Sequence, residues 1–259
     1  MCIDKLCIAR VLGNYNPPRS SQQSRIKELE EIIFLEKDMP FNKVWVLNRI
    51  FDLDYKSEIK NILDNNNFTY YDIPFSCKEF KSAKDKCSYY TNINAARNFL
   101  IKKCLLNFDF VFCLDGDCFF NDFLFNKVFK CLSKDLNKPY YAVMAKRLIK
   151  KNNDLDYSNP IDSEPMIVFT KKSKMFFNES IAFGANDKNE LCWDLGFSKK
   201  EMSQGKYPSQ TTGDLCRVLG DVFHISCSDQ SIETNLLHRI NLRKESKINT
   251  IEIIKKLCH

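Results

Sequence analysis

The sequence predicts an α/β protein with a Rossmann-like, mostly parallel sheet, helices on both of its faces and a more mixed C-terminal half. Short apolar runs alternate with helix-periodic segments up to residue 115, the pattern of strands joined by helical crossovers. Polar residues gather just after the apolar runs, where parallel sheets place their ligand loops. At 259 residues, with 44% apolar and 13% aromatic content, the chain is large enough to bury a substantial core.

The elements follow in order. KLCIARVL (5–12) reads as the first strand, and the turn-rich GNYNPPRSS follows it. Residues 22–37 place Ile26, Leu29, Ile33 and Phe34 at helical spacing, with Ser21 as the cap. KVWVLNRI (43–50) is a second strand. The segment 54–67 is a helix with Ile59, Ile62 and Leu63 on one face, ended by an asparagine cluster. FTYYDIPF (68–75) is a third strand, a polar loop comes next, and a helix over 93–107 delivers the chain into FVFCLD. Beyond that, YYAVMAKRLI and EPMIVFT read as strands, 187–196 as a short helix, and LCRVLGDVFHIS as a strand or hairpin. The tail is helical and basic. No internal repeat and no Gly-, Pro- or Ser-rich linker interrupts the chain. A single domain over 1–259 is expected, in an N-terminal half (1–120), a second half (121–235) and a basic tail (236–259).

The net charge is +6, but the lysines are scattered and form no nucleic-acid stripe. The 12 cysteines occur singly, with no CxxC pair, so no disulfide or zinc framework is expected. They read as small buried hydrophobes of a reducing compartment. The opening residues lack the apolar core of a signal peptide, and no run reaches the length of a membrane span. A cytoplasmic location is expected, with the tail's lysines and arginines available to the inner face of a membrane.

The chemistry concentrates in FDFVFCLDGDCFF (108–120), where an apolar strand ends in Asp115 and Asp117 around Gly116. Two carboxylates one residue apart on an extended segment point the same way and repel unless a cation lies between them. Hard oxygen donors of this kind suit Mg²⁺ or Mn²⁺ bound together with a phosphate. A haloacid-dehalogenase-type phosphatase would want Thr or Val where Phe119 stands, and would want the motif on the first strand. An EF-hand loop lacks its glycine and its helix pair.

With its D-x-D after three β-α units, the chain resembles nucleotide-sugar glycosyltransferases of the GT-A fold. NINAARNFLIKKCL (92–105) resembles the helix that precedes the D-x-D strand in that family. FNESIAFGANDKNELCWDLGF (177–197) looks like the acceptor-side segment of its inverting members, departing from the pattern at Ala185 and Asn186. The resemblance implies Asp115 and Asp117 as metal ligands, with His224 of VFHIS as a third. It also implies Asp187 or Glu190 as the base that deprotonates the acceptor hydroxyl. The implied cofactors are Mn²⁺ or Mg²⁺ and a nucleotide-sugar donor, a UDP-sugar first among them. The implied acceptor is a glycan, a lipid-linked saccharide or a protein, and the resemblance implies that 1–120 is the nucleotide-binding half and 121–235 the acceptor half.

Other polar residues on the same rim complete the expectation. Arg10, Asn14 and Arg19 lie at the end of the first strand and in the turn after it, and Arg49 and Asp52 flank the end of the second, where base, ribose or phosphate would lie. Arg97 and Asn98 sit on the helix before the D-x-D strand, in reach of a diphosphate, and Gly116 lets backbone approach it. Trp193 and Phe183 flank the candidate base, either stacking on a sugar or packing in the core.

Overall fold

The computed structural model describes residues 3–18, 20–77, 82–151, 154–181, 188–208, 210–211, 213–225 and 236–258. The first half has the expected alternation: β1 (Leu6–Leu12), α1 (Gln22–Leu35), β2 (Asn42–Asn48), α2 (Leu53–Asn65) and β3 (Thr69–Ile73). Two helices follow, α3 (Ala83–Tyr90) and α4 (Ile93–Cys104), and then β4 (Phe110–Leu114). The second half contains β5 (Cys118–Phe119), α5 (Asp122–Lys134), β6 (Tyr140–Lys151), β7 (Asp154–Thr170), α6 (Asn189–Asp194), α7 (Lys199–Ser203), β8 (Cys216–Ile225) and α8 (Leu236–Leu257).

Local chemistry explains the helix starts. Ser21, Asp52, Asn92 and Asn121 each accept a backbone N–H of the first turn through their side chains. Helix α2 ends where Asn67 takes a left-handed φ of 53°, which asparagine tolerates better than most residues. The part read as a polar loop contains α3, capped by Ser82. Helix α5 is a further addition to the sequence expectation, although its buried Leu124, Phe125, Val128 and Leu132 have helical spacing.

The strands form one eight-stranded sheet in the order β3-β2-β1-β4-β7-β6-β8-β5. Strands β3, β2, β1 and β4 run parallel, β7 is antiparallel to β4, and β8 runs parallel to β6. Helices cover both faces, as expected. Helices α4 and α6 pack with Val44, Val111 and Phe169 on one side, and α5 with Phe112 and Val143 on the other. Helices α1 and α2 close over Trp45 and Leu47, and Phe119 of β5 joins that cluster. The C-terminal ends of β1, β2 and β4 therefore open onto one rim.

Among the described cysteines, seven are buried thiols, in keeping with their reading as small hydrophobes. One pair departs from the reading of the cysteines as buried thiols: Cys77, after β3, is bonded to Cys258, after α8. The pair escapes a sequence reading because 181 residues separate the partners.

A buried ion pair ties the halves together. Arg10, on β1, has no exposed surface; its Nη2 donates to Glu36 Oε1 at 2.6 Å and to the Cys118 carbonyl at 2.8 Å. The same Glu36 oxygen accepts Phe120 N–H at 3.1 Å. Removing one partner strands the other charge in a low dielectric, so Arg10→Met or Glu36→Leu alone should cost about 3–5 kcal/mol, and the double replacement should cost less than their sum. Urea unfolding of the three variants checks this.

Candidate active site

The D-x-D turn is built from backbone pairing. Cys118 N–H donates to the Asp115 carbonyl at 3.1 Å, closing the turn. Strand β5 then pairs antiparallel with β8, setting Cys118 opposite His224, while Ile225 N–H donates to the Asp117 carbonyl at 2.8 Å. Register alone thus brings Asp117 and His224 together, with His224 Nε2 3.0 Å from Asp117 Oδ2. A bulge in β8, where Gly220 has a φ of 152°, shifts the register against β6 so that Arg147 faces His224. Arg147 Nε donates to His224 Nδ1 at 3.1 Å. That donor places the proton of the neutral ring on Nε2, pointing at the carboxylate.

Asp115 has different company. Arg97 Nη2 donates to its Oδ1 at 2.7 Å and Lys188 Nζ to its Oδ2 at 2.6 Å. Lys188 also meets Glu164 at 3.2 Å, and both cations are almost fully buried. Burial works to raise the Asp115 pKa, but Lys188 and Arg97 outweigh it and hold the carboxyl well below the usual carboxylate range. At Asp117 burial likewise raises the pKa and His224 brings it down, while the charge of Asp115 opposes that fall. Cys113 and Cys118 flank the turn, yet burial pushes both thiols up, Cys113 to about 12, so neither offers a thiolate at neutral pH.

Helix α4 anchors the approach to the acceptor-side segment. Asn94 donates to the Asn178 carbonyl at 2.9 Å, Asn92 to the Glu179 carbonyl at 2.8 Å, and Asn98 to both the Phe177 carbonyl and Glu179 Oε1 at 2.8 Å. Glu190, half-buried in α6, accepts from Asn178 Nδ2 at 2.7 Å. Asp187 and Phe183 lie outside the described residues, as does Arg19.

The remaining predicted residues are scaffold as well as rim. Arg10 faces Glu36 in the core and has no surface to offer a nucleotide. Asn14 bridges two loops, donating to the Arg49 carbonyl at 2.8 Å and accepting from Phe51 N–H at 3.0 Å. Asp52 caps α2 and accepts from Tyr15 Oη at 2.8 Å. Arg49 takes a left-handed φ of 52°, rare without glycine, and its guanidinium lies 4.1 Å from the Tyr89 ring centroid. Gly116 needs no left-handed backbone, and a Cβ there would make ordinary contact with the Val11 carbonyl at 3.4 Å. Trp193 packs against the core under Lys199, so its core reading is the one realised. Sequence reasoning missed Lys188, Glu164 and Arg147. The only signals were a lysine beside the candidate base and a Lys-Arg pair inside an apolar strand.

The dyad fits a divalent cation. Asp117 Oδ1 is buried without a hydrogen-bond partner, an expensive state for a carboxylate oxygen. For His224 to ligate through Nε2, its proton must leave and Arg147 must yield Nδ1. Among the described residues no group of three or more His, Cys, Asp or Glu could hold a metal by itself. Phosphate oxygens and water would complete the shell, as is usual for Mg²⁺.

No protein-family model and no curated protein matches the sequence. Among solved structures, GalNAc-T7 with UDP, GalNAc and Mn²⁺ superposes with a TM-score of 0.53, over 86% of this chain and 44% of that one, at 8% identity. The mannosyltransferase PcManGT from Pyrobaculum calidifontis, solved with GDP-Man and Mn²⁺, gives 0.48 over 96% and 64%, at 11% identity. A Desulfovibrio desulfuricans G20 protein named as a nucleotide-diphospho-sugar transferase gives 0.48 over 98% of both chains, also at 11%. The chain spans less than half of GalNAc-T7, and that superposition shows a shared GT-A-like fold.

Because Asp115 has a lowered pKa when folded, its contribution to stability is complete above about pH 4, its unfolded value, and is lost as pH falls below that through the folded value. Asp115→Asn should therefore flatten the acid limb of the stability–pH curve while lowering stability at pH 7, where Lys188 and Arg97 lose their counter-charge. Thermal melts between pH 2 and 7 in EDTA read both effects.

Proposed function

We propose that the protein is a metal-dependent glycosyltransferase that moves a sugar from a nucleoside-diphosphate sugar to an acceptor hydroxyl. The observation that carries this reading is the Asp117–His224 dyad, with its partnerless carboxylate oxygen, on the ligand rim of a GT-A-type sheet. The Mn²⁺ and UDP in the GalNAc-T7 structure support it by analogy of fold. Mn²⁺ or Mg²⁺ held by Asp117 and His224 would offset the charge growing on the leaving diphosphate.

The chain's own residues do the rest. Arg97 and Lys188 keep Asp115 ionised and the turn rigid, so that Asp117 stays aimed into the site. Asn14 holds the loops after β1 and β2 in register for the nucleoside, with Arg49 beside them. Asp187 or Glu190 deprotonates the acceptor hydroxyl on the face opposite the leaving group, giving inversion. A UDP-hexose or UDP-N-acetylhexosamine is the proposed donor, and a glycan, lipid-linked saccharide or protein the acceptor. We place the whole reaction in one cytoplasmic domain spanning 1–259, its basic tail near a membrane. No helix among the described residues is long and apolar enough to cross one. A phosphatase using Asp115 as nucleophile is disfavoured, because both of its oxygens are bonded to buried cations.

Thermal melting with nucleoside diphosphates, each with and without Mn²⁺, tests the reading. A ligand at 100 times its Kd stabilises by about 2.7 kcal/mol, or roughly 5–10 °C for a chain of this size. The shift should need both nucleotide and metal and should vanish in Asp117→Ala and His224→Ala. If no nucleotide moves the melting temperature under any condition, the transferase reading is wrong. With a donor in hand, either Asp187→Asn or Glu190→Gln should cut turnover roughly 10²–10⁴-fold while leaving nucleotide affinity intact, which identifies the base.

A further inference from the structure

Helix α8 grips the loops that leave the C-terminal ends of β1, β2 and β3. Ser246 Oγ donates to the Asn16 carbonyl at 3.0 Å, and Asn249 Nδ2 to the Pro17 carbonyl at 3.0 Å, both in the loop after β1. Ile254 is fully buried with Tyr90 of α3, and Phe51 and Phe75 from the loops after β2 and β3 pack on the same cluster. At the end of α8, Cys258 is bonded to Cys77 in the loop after β3.

On the side chains described, α8 buries Ser246, Thr250 and Ile254 at four-residue spacing, and Ile251 packs partly buried on the Ile254 cluster. The covalent link adds a constraint at the C-terminal end of this helix. The location of the link also differs from that of the other cysteines. The remaining described thiols lie in the core or against it, whereas Cys77 and Cys258 are both partly open to solvent.

We propose that the Cys77–Cys258 pair is a redox-controlled clasp on the nucleoside rim: oxidised, it seats α8 on the loops after β1 and β3, and reduced, it releases them. The proposal rests on the nucleotide-site reading for its ligand, although the clasp itself does not. On closing, the two thiols together release two protons and two electrons and one S–S bond forms. A low-molecular-weight disulfide such as oxidised glutathione accepts both and splits into two thiols. The loop after β1 is carried to Arg49 and Phe51 through Asn14, so releasing it loosens both strand-end loops at once. A looser rim lowers nucleotide affinity, because binding must then order the loops again.

The test uses the full chain, oxidised with glutathione disulfide or reduced with dithiothreitol, beside Cys258→Ser in both conditions. Peptide mapping should find Cys77 joined to Cys258 in the oxidised wild type and nowhere else, with two fewer free thiols than in the reduced protein. Hydrogen exchange should be faster on reduction at residues 14–16, 51 and 246–257, and insensitive to redox state in Cys258→Ser. Calorimetric titration with UDP or GDP plus Mn²⁺ should show binding weakened by about fivefold or more on reduction, the low end of ordinary coupling between sites. Absence of the Cys77–Cys258 link after oxidation, or unchanged exchange at those residues, overturns the clasp. Equal nucleotide affinity in the two states, with the link confirmed, also overturns it. If neither state binds nucleotide, the transferase reading falls, and faster exchange on reduction still upholds the clasp.

Discussion

The buried pair of Arg10 and Glu36 is the constraint on which the site depends. Its two side chains join three parts of the chain: β1, the residue that ends α1, and the segment leaving the D-x-D turn. Burying an ion pair is costly, and the compensation here comes from the accompanying hydrogen bonds to the Cys118 carbonyl and the Phe120 N–H. Trp45 adds its ring face 5.2 Å from the Arg10 guanidinium. Because β5 is only two residues long, strand pairing with β8 would hold it loosely. Arg10 and Glu36 fasten it from the other side, and the Asp117–His224 distance follows.

The two aspartates illustrate how neighbours divide labour between chemically identical groups. Asp115 is neutralised by resident cations and has no oxygen left over; Asp117 meets an imidazole and keeps one oxygen free of hydrogen bonds. Asp117 Oδ1 is therefore the one carboxylate oxygen of the pair left open. The repulsion expected between two carboxylates so close is relieved by Arg97 and Lys188, which stabilise the turn from within the protein. Arg147, behind His224, donates to Nδ1 and so sets which nitrogen of the neutral ring carries the proton.

Rigidity is distributed unevenly around this centre. The sheet and the D-x-D turn are held by ladder bonds and buried charge. The rim loops, by contrast, are held by individual asparagine side chains: Asn14 between the first two loops, and Asn92, Asn94 and Asn98 under residues 177–179. Amides suit that work because each can donate to one backbone group and accept from another.

Much of this was legible in the sequence. Alternating apolar runs and helical periods determined the parallel half and most element bounds, since those patterns depend on residues a few places apart. Strand-end position marked Asp115, Asp117 and Arg49 as rim residues, and the capping role of Ser21 is local chemistry. Tertiary structure alone decided which charges meet. Lys188 reaches Asp115 from 73 residues away, Arg147 reaches His224 from 77, and Cys77 reaches Cys258 from 181. It also turned Arg10 inward, against its expected place at the nucleotide, because a carboxylate and a carbonyl awaited it in the core. Coulombic and hydrogen-bond energies depend on distance in space, and a sequence records only distance along the chain.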